Sequence, residues 1–330
     1  MPRFLGREAR VSLGLLALLL AAPFFVSDYT VRILNLGLIS AIAVLGLNFA
    51  FGWTGLISLA QAAFVGSGAY VAALLGTRLG LDMWSAGAVA VAVTGIAAAL
   101  IGFPMLRLSG HYLALATLGL NVSFEIVASN WVEVTGGTNG VTGIPPLRIF
   151  GLALGREEQF LPVAWGLLVL LTLVAYRLRA SRFGRAMIAM RDDEIATRMS
   201  GVGAVAIKIT AFALSAVYAA LAGVLFACHG NFISPGDFGY VHSIFYLSML
   251  IVGGEGSILG AILGALIVTF LPEWLRPLGE AYLTFFGVCL LAILVFLPKG
   301  LTSLFRFLGP SGAPAPLTVS FPALGKRDAA

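Results

Sequence analysis

The sequence predicts an all-α fold: a polytopic transmembrane helical bundle of about ten spans, with broken or re-entrant segments and both termini cytosolic. Three observations carry that expectation. First, 59% of the 330 residues are hydrophobic and 11% charged, with a mean hydropathy of +0.99; a soluble domain carries about a quarter charged residues. Second, the apolar stretches run continuously over the roughly 20 residues that a helix needs to cross a bilayer, rather than alternating as barrel strands do. Third, Lys and Arg are distributed asymmetrically. With a cytosolic N-terminus and alternating spans, Arg32, Arg78, Arg148, Arg156 and Arg276 fall outside, and the other 15 of 20 basic residues face the cytosol, in keeping with the positive-inside bias.

The spans are expected at about 11–27, 32–51, 55–76, 84–104, 111–130, 161–178, 206–228, 239–253, 257–271 and 281–297. The first follows Arg3, Arg7 and Arg10 and precedes "LAAPFF", a poor small-residue cleavage site, so a retained helix is expected rather than a signal peptide. From Ala41 to Gly76 charge almost vanishes, yet Gly52, Gly55, Gly66 and Gly68 punctuate the run and Asn48 and Gln61 flank its centre. "FGWTG" is either a tight turn or a helix break inside the membrane, which is tolerated where protein or a water-filled path covers it. The outer loop over 131–160 contains "VTGGTNGVTGIPPL", whose Gly, Asn, Thr and Pro fit tight turns without secondary structure of their own. Thr138, Asn139, Gly140, Thr142 and Gly143 in it are candidates for docking an external partner.

Further along, "CHGNFISPGDFG" (228–239) has loop residues but little length to leave the bilayer, and His229 and His242 flank it as interfacial groups. Gly256, Gly260 and Gly264 recur at spacing four, the pattern that lets two helices approach closely. The chain thus divides into a membrane domain over 1–306 and a Pro-, Ala- and Gly-rich cytosolic tail over 307–330, expected to be disordered.

Several function classes find no support. Cys228 and Cys289 suggest neither a disulfide framework nor a metal site, and the three histidines lack ligand spacing. No phosphate-cradling Gly-Lys-Ser loop is present, and the net charge of +5 follows from membrane topology, not from nucleic-acid binding. No nucleophile or carboxylate pair is clustered as an enzyme needs. Buried polar groups in lipid face the bundle interior, which makes Asn48, Gln61 and Asn121 candidates for a substrate path. A passive channel for a small solute fits these features too.

One stretch is dense in charge: "RAMIAMRDDEIATRMSG" from Arg185 to Gly201. As a cytosolic helix over 182–200, it places Ile188, Ile195 and Met199 on one face. Such a short helix needs a surface to pack on. Asp192, Asp193 and Glu194 oppose the arginines, so a protein groove suits it better than a lipid surface.

This stretch closely resembles the coupling segment of the branched-chain amino acid permeases of ABC importers, through Gly184, Arg185, Ala186, Ala189, Arg191, Asp192, Asp193, Glu194, Ala196 and Gly201. "GLNFAFGWTGLISLAQAAFVGSGAY", "HYLALATLGL", "GGTNGVTGIP" and "SPGDFGYVHSIFYLSMLIVGGEGSILGAILGA" extend the resemblance over about residues 32–300, and it is to the larger of the two permease subunits. The resemblance implies a heterodimeric pore with a second permease subunit, two cytosolic ATP-binding subunits, and an extracytoplasmic binding protein, in a bacterial-type inner membrane. It implies no cofactor on this chain, with ATP and Mg used by the partner subunits. Arg185, Ile188, Arg191, Asp192, Asp193, Glu194, Ile195, Ala196, Met199 and Gly201 would then couple the chain to an ATPase. The general importer loop has Glu, two small residues, and Gly six positions after the Glu; here Ile195 is larger and Gly201 falls one position late. Leu, Ile and Val are the implied cargo, with urea, small amides or other amino acids as alternatives.

Overall fold

The computed structural model describes residues 9–12, 14, 16, 27–108, 110–149, 152–276, 282–296 and 300–302. The expected first span at 11–27 lies almost wholly outside the described residues, as does the tail at 307–330. The described chain is a bundle of helices: α1 (Asp28–Leu47), α2 (Gln61–Arg78), α3 (Met83–Met105), α4 (His111–Asn130), α5 (Glu157–Ala180), α6 (Arg182–Asp192), α7 (Glu194–Met199), α8 (Ala204–Gly230), α9 (Tyr240–Gly253), α10 (Ile258–Leu275) and α11 (Tyr282–Phe296). Among the described residues, six helices are long and apolar enough to cross a membrane: α1 with its extension to Trp53, α3, α4, α5, α8 and α10. The chain is an integral membrane protein.

The two most buried of these six spans, α1 and α8, form the centre, and α8 packs against α2, α3 and α1. This arrangement depends on small residues. A β-carbon at Gly223 of α8 would run into the Val65 carbonyl oxygen of α2, and one at Gly68 would meet the Ala220 backbone at 2.5 Å. Aromatic edges fill the space around that crossing, with Phe49 against Tyr218 at 4.9 Å and Phe64 against Phe212 at 5.2 Å. By contrast α3 and α4 leave Val89, Val93, Ile96, Leu100, Leu115 and Ile126 exposed, apolar surface suited to lipid or to another membrane subunit.

The expected small-residue contact in "GSILGAILGA" is made within the bundle. β-carbons at Gly260 and Gly264 would strike the backbone of α9 at Gly253 and Met249. Gly256 does not join that face. With φ of +78° it belongs to the turn between α9 and α10.

Two transmembrane runs are interrupted. The first begins as α1, passes into a π-helical turn at Asn48–Trp53, and unwinds over residues 54–60 before α2 starts at Gln61. The expected span at 55–76 therefore begins later, as the 18-residue helix Gln61–Arg78. Its first residue, Gln61, donates from Nε2 to the Ala43 carbonyl at 2.7 Å. Ala43 lies ten residues back from Trp53, about 15 Å along a helix, so α2 begins deep within the bundle. The second interruption is the turn at 254–257 between α9 and α10, where Gly254 and Gly256 both have positive φ.

The α2–α8 crossing gives a clean test. Gly223→Ala should destabilise the purified protein by about 1–3 kcal/mol through overpacking. Gly166→Ala, where no atom lies within 4 Å of the added carbon, should be neutral or stabilise by about 0.5–1 kcal/mol. Thermal unfolding in detergent compares the two, and equal midpoints would mean that the crossing tolerates a side chain and is not set by glycine.

Candidate functional site

The unwound segment at 54–60 exposes backbone donors at membrane depth, where each unpaired group costs several kcal/mol. Backbone carbonyls of the π turn accept from Thr54, Gly55 and Leu56, and side chains answer donors further along. Thr54 Oγ1 donates to the Ala50 carbonyl at 2.6 Å and so closes the π turn. Leu59 N donates to Thr117 Oγ1 at 3.0 Å, and Ala62 N to Ser243 Oγ at 2.9 Å. Thr117 belongs to α4 and Ser243 to α9, so two distant helices cap the buried start of α2 with hydroxyls. Neither residue stands out in the sequence; each sits in an apolar run where a lone hydroxyl carries no signal of its own.

Asn48, Gln61 and Asn121 are all buried, at 1%, 1% and 0% exposure. Asn48 accepts from Gly256 N at 2.9 Å and donates to the Ser257 carbonyl at 3.3 Å, so it fastens the first interruption to the second. Gln61 accepts from Ser215 Oγ at 2.9 Å while donating to Ala43. Both amides are thus engaged at both ends. Asn121 differs: Nδ2 donates to Ser243 Oγ at 3.0 Å, but Oδ1 has no hydrogen-bond partner among the described residues. Thr117, Asn121 and Glu125 follow at spacing four and form one polar stripe on α4. The Glu125 carboxylate closes that stripe about 3.1 Å from where a β-carbon at Gly239 would stand, at the start of α9.

At the end of the bundle that carries Gly55 and the 254–257 turn lies the charged segment. It is not the continuous helix expected over 182–200. Asp193 adopts an extended conformation and splits it into α6 and α7. Asp193 Oδ1 accepts from Ile195 N at 2.9 Å and Ala196 N at 3.0 Å, an N-cap that starts α7 afresh. Ile188 is consequently not on one face with Ile195 and Met199: it packs toward the core, while they are 72% and 85% exposed.

The remaining charges of the segment are braced internally. Glu194 accepts from Lys208 Nζ of α8 at 2.7 Å and pairs with Arg198. The Lys208 hydrogen bond holds the Glu194 carboxyl below its usual range. Its folded value is depressed, so the contact stabilises α7 at neutral pH and is lost as pH falls through that lowered value. Arg185 donates to the Ala180 carbonyl at 2.7 Å, Asp192 is exposed, and Gly201 turns the chain with φ of +79°. Arg191 points inward, donating from Nη1 to the Gly52 carbonyl at 2.6 Å and pairing with Glu255.

At the opposite end, the 131–156 loop has small elements that its turn residues did not predict. A one-turn helix at Val132–Thr135 is followed by β1 (Val141–Thr142), which pairs antiparallel with β4 (Phe232–Ile233), and by the β2 (Arg148–Ile149)–β3 (Leu152–Ala153) hairpin. Long-range pairing with β4 cannot be read from local turn chemistry. Gly140, with φ of +69°, lies where a β-carbon would strike the Ile233 carbonyl oxygen. Thr138, Asn139, Thr142 and Gly143 remain exposed. The His229 side chain is buried at the end of α8, with Nδ1 3.4 Å from Glu157 and its ring against Phe160; Glu157 also accepts from Asn35 at 3.0 Å.

A helical membrane bundle with a helix that begins at depth after an unwound segment, and a capped, charged helix pair at one end, has the makings of a transport protein. The chain belongs to the family of permease components of branched-chain amino acid transport systems, whose model matches residues 29–298. It is 37% identical to the high-affinity branched-chain amino acid transport system permease protein LivM of Escherichia coli, over 93% of this chain and 78% of that protein. The Salmonella typhimurium LivM is 36% identical over the same shares. A more distant relative, the autoinducer 2 import system permease protein LsrC of Yersinia pseudotuberculosis, is 30% identical over 58% of this chain and 54% of its own length. No solved structure matches the chain.

The hydroxyl caps of α2 are open to test. Thr117→Val leaves Leu59 N unpaired in an apolar setting and should destabilise by about 1–3 kcal/mol, whereas Thr117→Ser keeps the acceptor and most of the stability. Unfolding midpoints of the two variants in detergent measure the difference, and indistinguishable midpoints would mean that Leu59 N finds another partner.

Proposed function

We propose that this chain is a permease subunit of an ATP-driven importer that brings branched-chain amino acids into the cytosol. It pairs with a second permease subunit and works with two ATP-binding subunits and an extracytoplasmic binding protein, in the bacterial inner membrane. ATP and Mg are used by those partners, and this chain binds no cofactor. In this reading the membrane part has about ten spans, both termini are cytosolic, and the α6–α7 end faces the cytosol. The 131–156 loop then faces outward, with Thr138, Asn139, Thr142 and Gly143 meeting the binding protein and Gly140 holding their loop in place.

The observation that carries the coupling assignment is the apolar tip formed by Ile195 and Met199. These two side chains are 72% and 85% exposed on a helix otherwise tied down by Asp193 and Glu194. A braced helix with an unburied apolar end suits insertion into a protein groove. Ile195→Arg would bury an unpaired charge there, at a cost of about 3–5 kcal/mol, or more than about a hundredfold in affinity. The variant should enter the membrane at normal levels, fail to co-purify with ATP-binding subunits, and lose leucine uptake. Full retention of those subunits would show that α7 is a solvated connector.

Along the path we assign transit contact to Asn121, whose Oδ1 is unpartnered among the described residues, and to the stripe it shares with Thr117 and Glu125. Asn48 and Gln61 hold the interruption in shape. Asn121→Leu should slow leucine uptake by about two- to tenfold, the worth of one lost hydrogen bond of about 0.5–1.5 kcal/mol, with subunit assembly intact. Uptake at the wild-type rate would return Asn121 to a packing role.

A further inference from the structure

One charged side chain of the α6–α7 segment turns back onto the bundle from a partly exposed position. Arg191, in the last turn of α6, sends its guanidinium into the bundle, where its two terminal nitrogens reach two different interruptions. Nη1 donates to the Gly52 carbonyl at 2.6 Å, at the end of the π turn, and Nη2 pairs with Glu255 in the turn between α9 and α10. A glycine of each interruption lies against it. A β-carbon at Gly55 would stand 3.6 Å from Arg191 Cγ, and one at Gly256 would stand 3.2 Å from Nη1. Gly55 and Gly256 have φ of +71° and +78°, conformations that also favour glycine.

The two interruptions are already joined to each other. Trp53 Nε1 donates to the Gly256 carbonyl at 3.2 Å, and Asn48 holds Gly256 N and the Ser257 carbonyl. Arg191 is therefore attached to a single unit made of both broken runs. The first of those runs leads through 54–60 to the buried start of α2, beside Asn121. A guanidinium suits this task because its planar fork presents several donors in fixed directions, and charge-assisted bonds are shorter and stronger than neutral ones.

We propose that Arg191 is the positioning residue that transmits movement of the α6–α7 segment to both helix interruptions, and thus couples ATPase engagement to the state of the path. This rests on the importer reading given above. Docking belongs to the exposed Ile195–Met199 tip, and transmission to the inward-facing arginine, with the Asp193 break separating the two duties.

The test uses the assembled complex in proteoliposomes with loaded binding protein, leucine and ATP. Arg191→Ala should keep its ATP-binding subunits, in contrast to Ile195→Arg, while the ratio of leucine imported to ATP hydrolysed falls tenfold or more. Glu255→Gln should lower the same ratio by a smaller factor, because the Gly52 contact survives. Arg191→Lys should recover part of it, since an ammonium can meet one partner well but not both in a fixed fork. A purely structural role would lower the yield of complex and leave the ratio unchanged in what assembles, and that result overturns the proposal. So does loss of ATP-binding subunits from Arg191→Ala, which would make Arg191 a docking residue. Should the wild-type complex hold no ATP-binding subunits, the importer reading itself fails, a result distinct from either.

Discussion

A bilayer offers no water to unpaired backbone groups, and the rest of this structure is arranged around that constraint at residues 54–60. A helix that runs uninterrupted satisfies itself. Once the chain unwinds after Trp53, Gly55 N and Leu56 N turn back to carbonyls of the π turn, while Leu59 N and Ala62 N find Thr117 of α4 and Ser243 of α9. Those hydroxyls are in reach only because the surrounding helices pack closely. The absence of a side chain at Gly68 and Gly223 sets the distance between α2 and α8, and the glycines of the α9–α10 contact do the same on the other side. Small residues and buried hydroxyls are thus two parts of one solution. One brings the helices together, and the other offsets the cost of the break they enclose.

The three amides at the break divide into two that are fully satisfied and one that is not. Asn48 and Gln61 complete their bonds within the protein and stiffen the interruption. Asn121 shares Ser243 with the start of α2 but leaves an acceptor unused in a buried position. A buried unpaired carbonyl oxygen costs stability, and a donor that reached it would reduce that cost. The unsatisfied group sits beside the buried start of α2.

At the charged end, a single backbone feature divides the labour. The extended conformation of Asp193 stops α6 and restarts α7 in a new direction. Without that break, Ile188, Ile195 and Met199 would share a stripe and the segment would be one amphipathic rod. With it, Ile188 joins the core, Arg191 reaches inward to both interruptions, and Ile195 and Met199 are held out from the bundle. Glu194, gripped by Lys208, fixes the second helix against α8.

Composition and run length were enough to define a helical membrane bundle, because burial in lipid is a property of whole segments and survives averaging over them. The resemblance carried by the 185–201 stretch and the glycine-rich runs pointed to the permease family, and the family match agrees. The region of the central break was legible too. Glycines and amides within an uncharged apolar run weaken a helix and are costly in lipid, so their concentration between Asn48 and Gln61 marks where the helix gives way. What the sequence could not decide was direction and partnership. A capping aspartate within "RDDE" does not announce that it splits a helix, because Asp192, Asp193 and Glu194 are locally equivalent as charges. Thr117 and Ser243 look like ordinary small polar residues until residues more than fifty positions away are brought against them. Whether Arg191 faces a partner or its own bundle depends on where Gly52 and Glu255 lie, and β1 acquires a partner only when residues 232–233 are folded beside it. These are long-range contacts, fixed by how the helices cross, and local sequence holds no record of them.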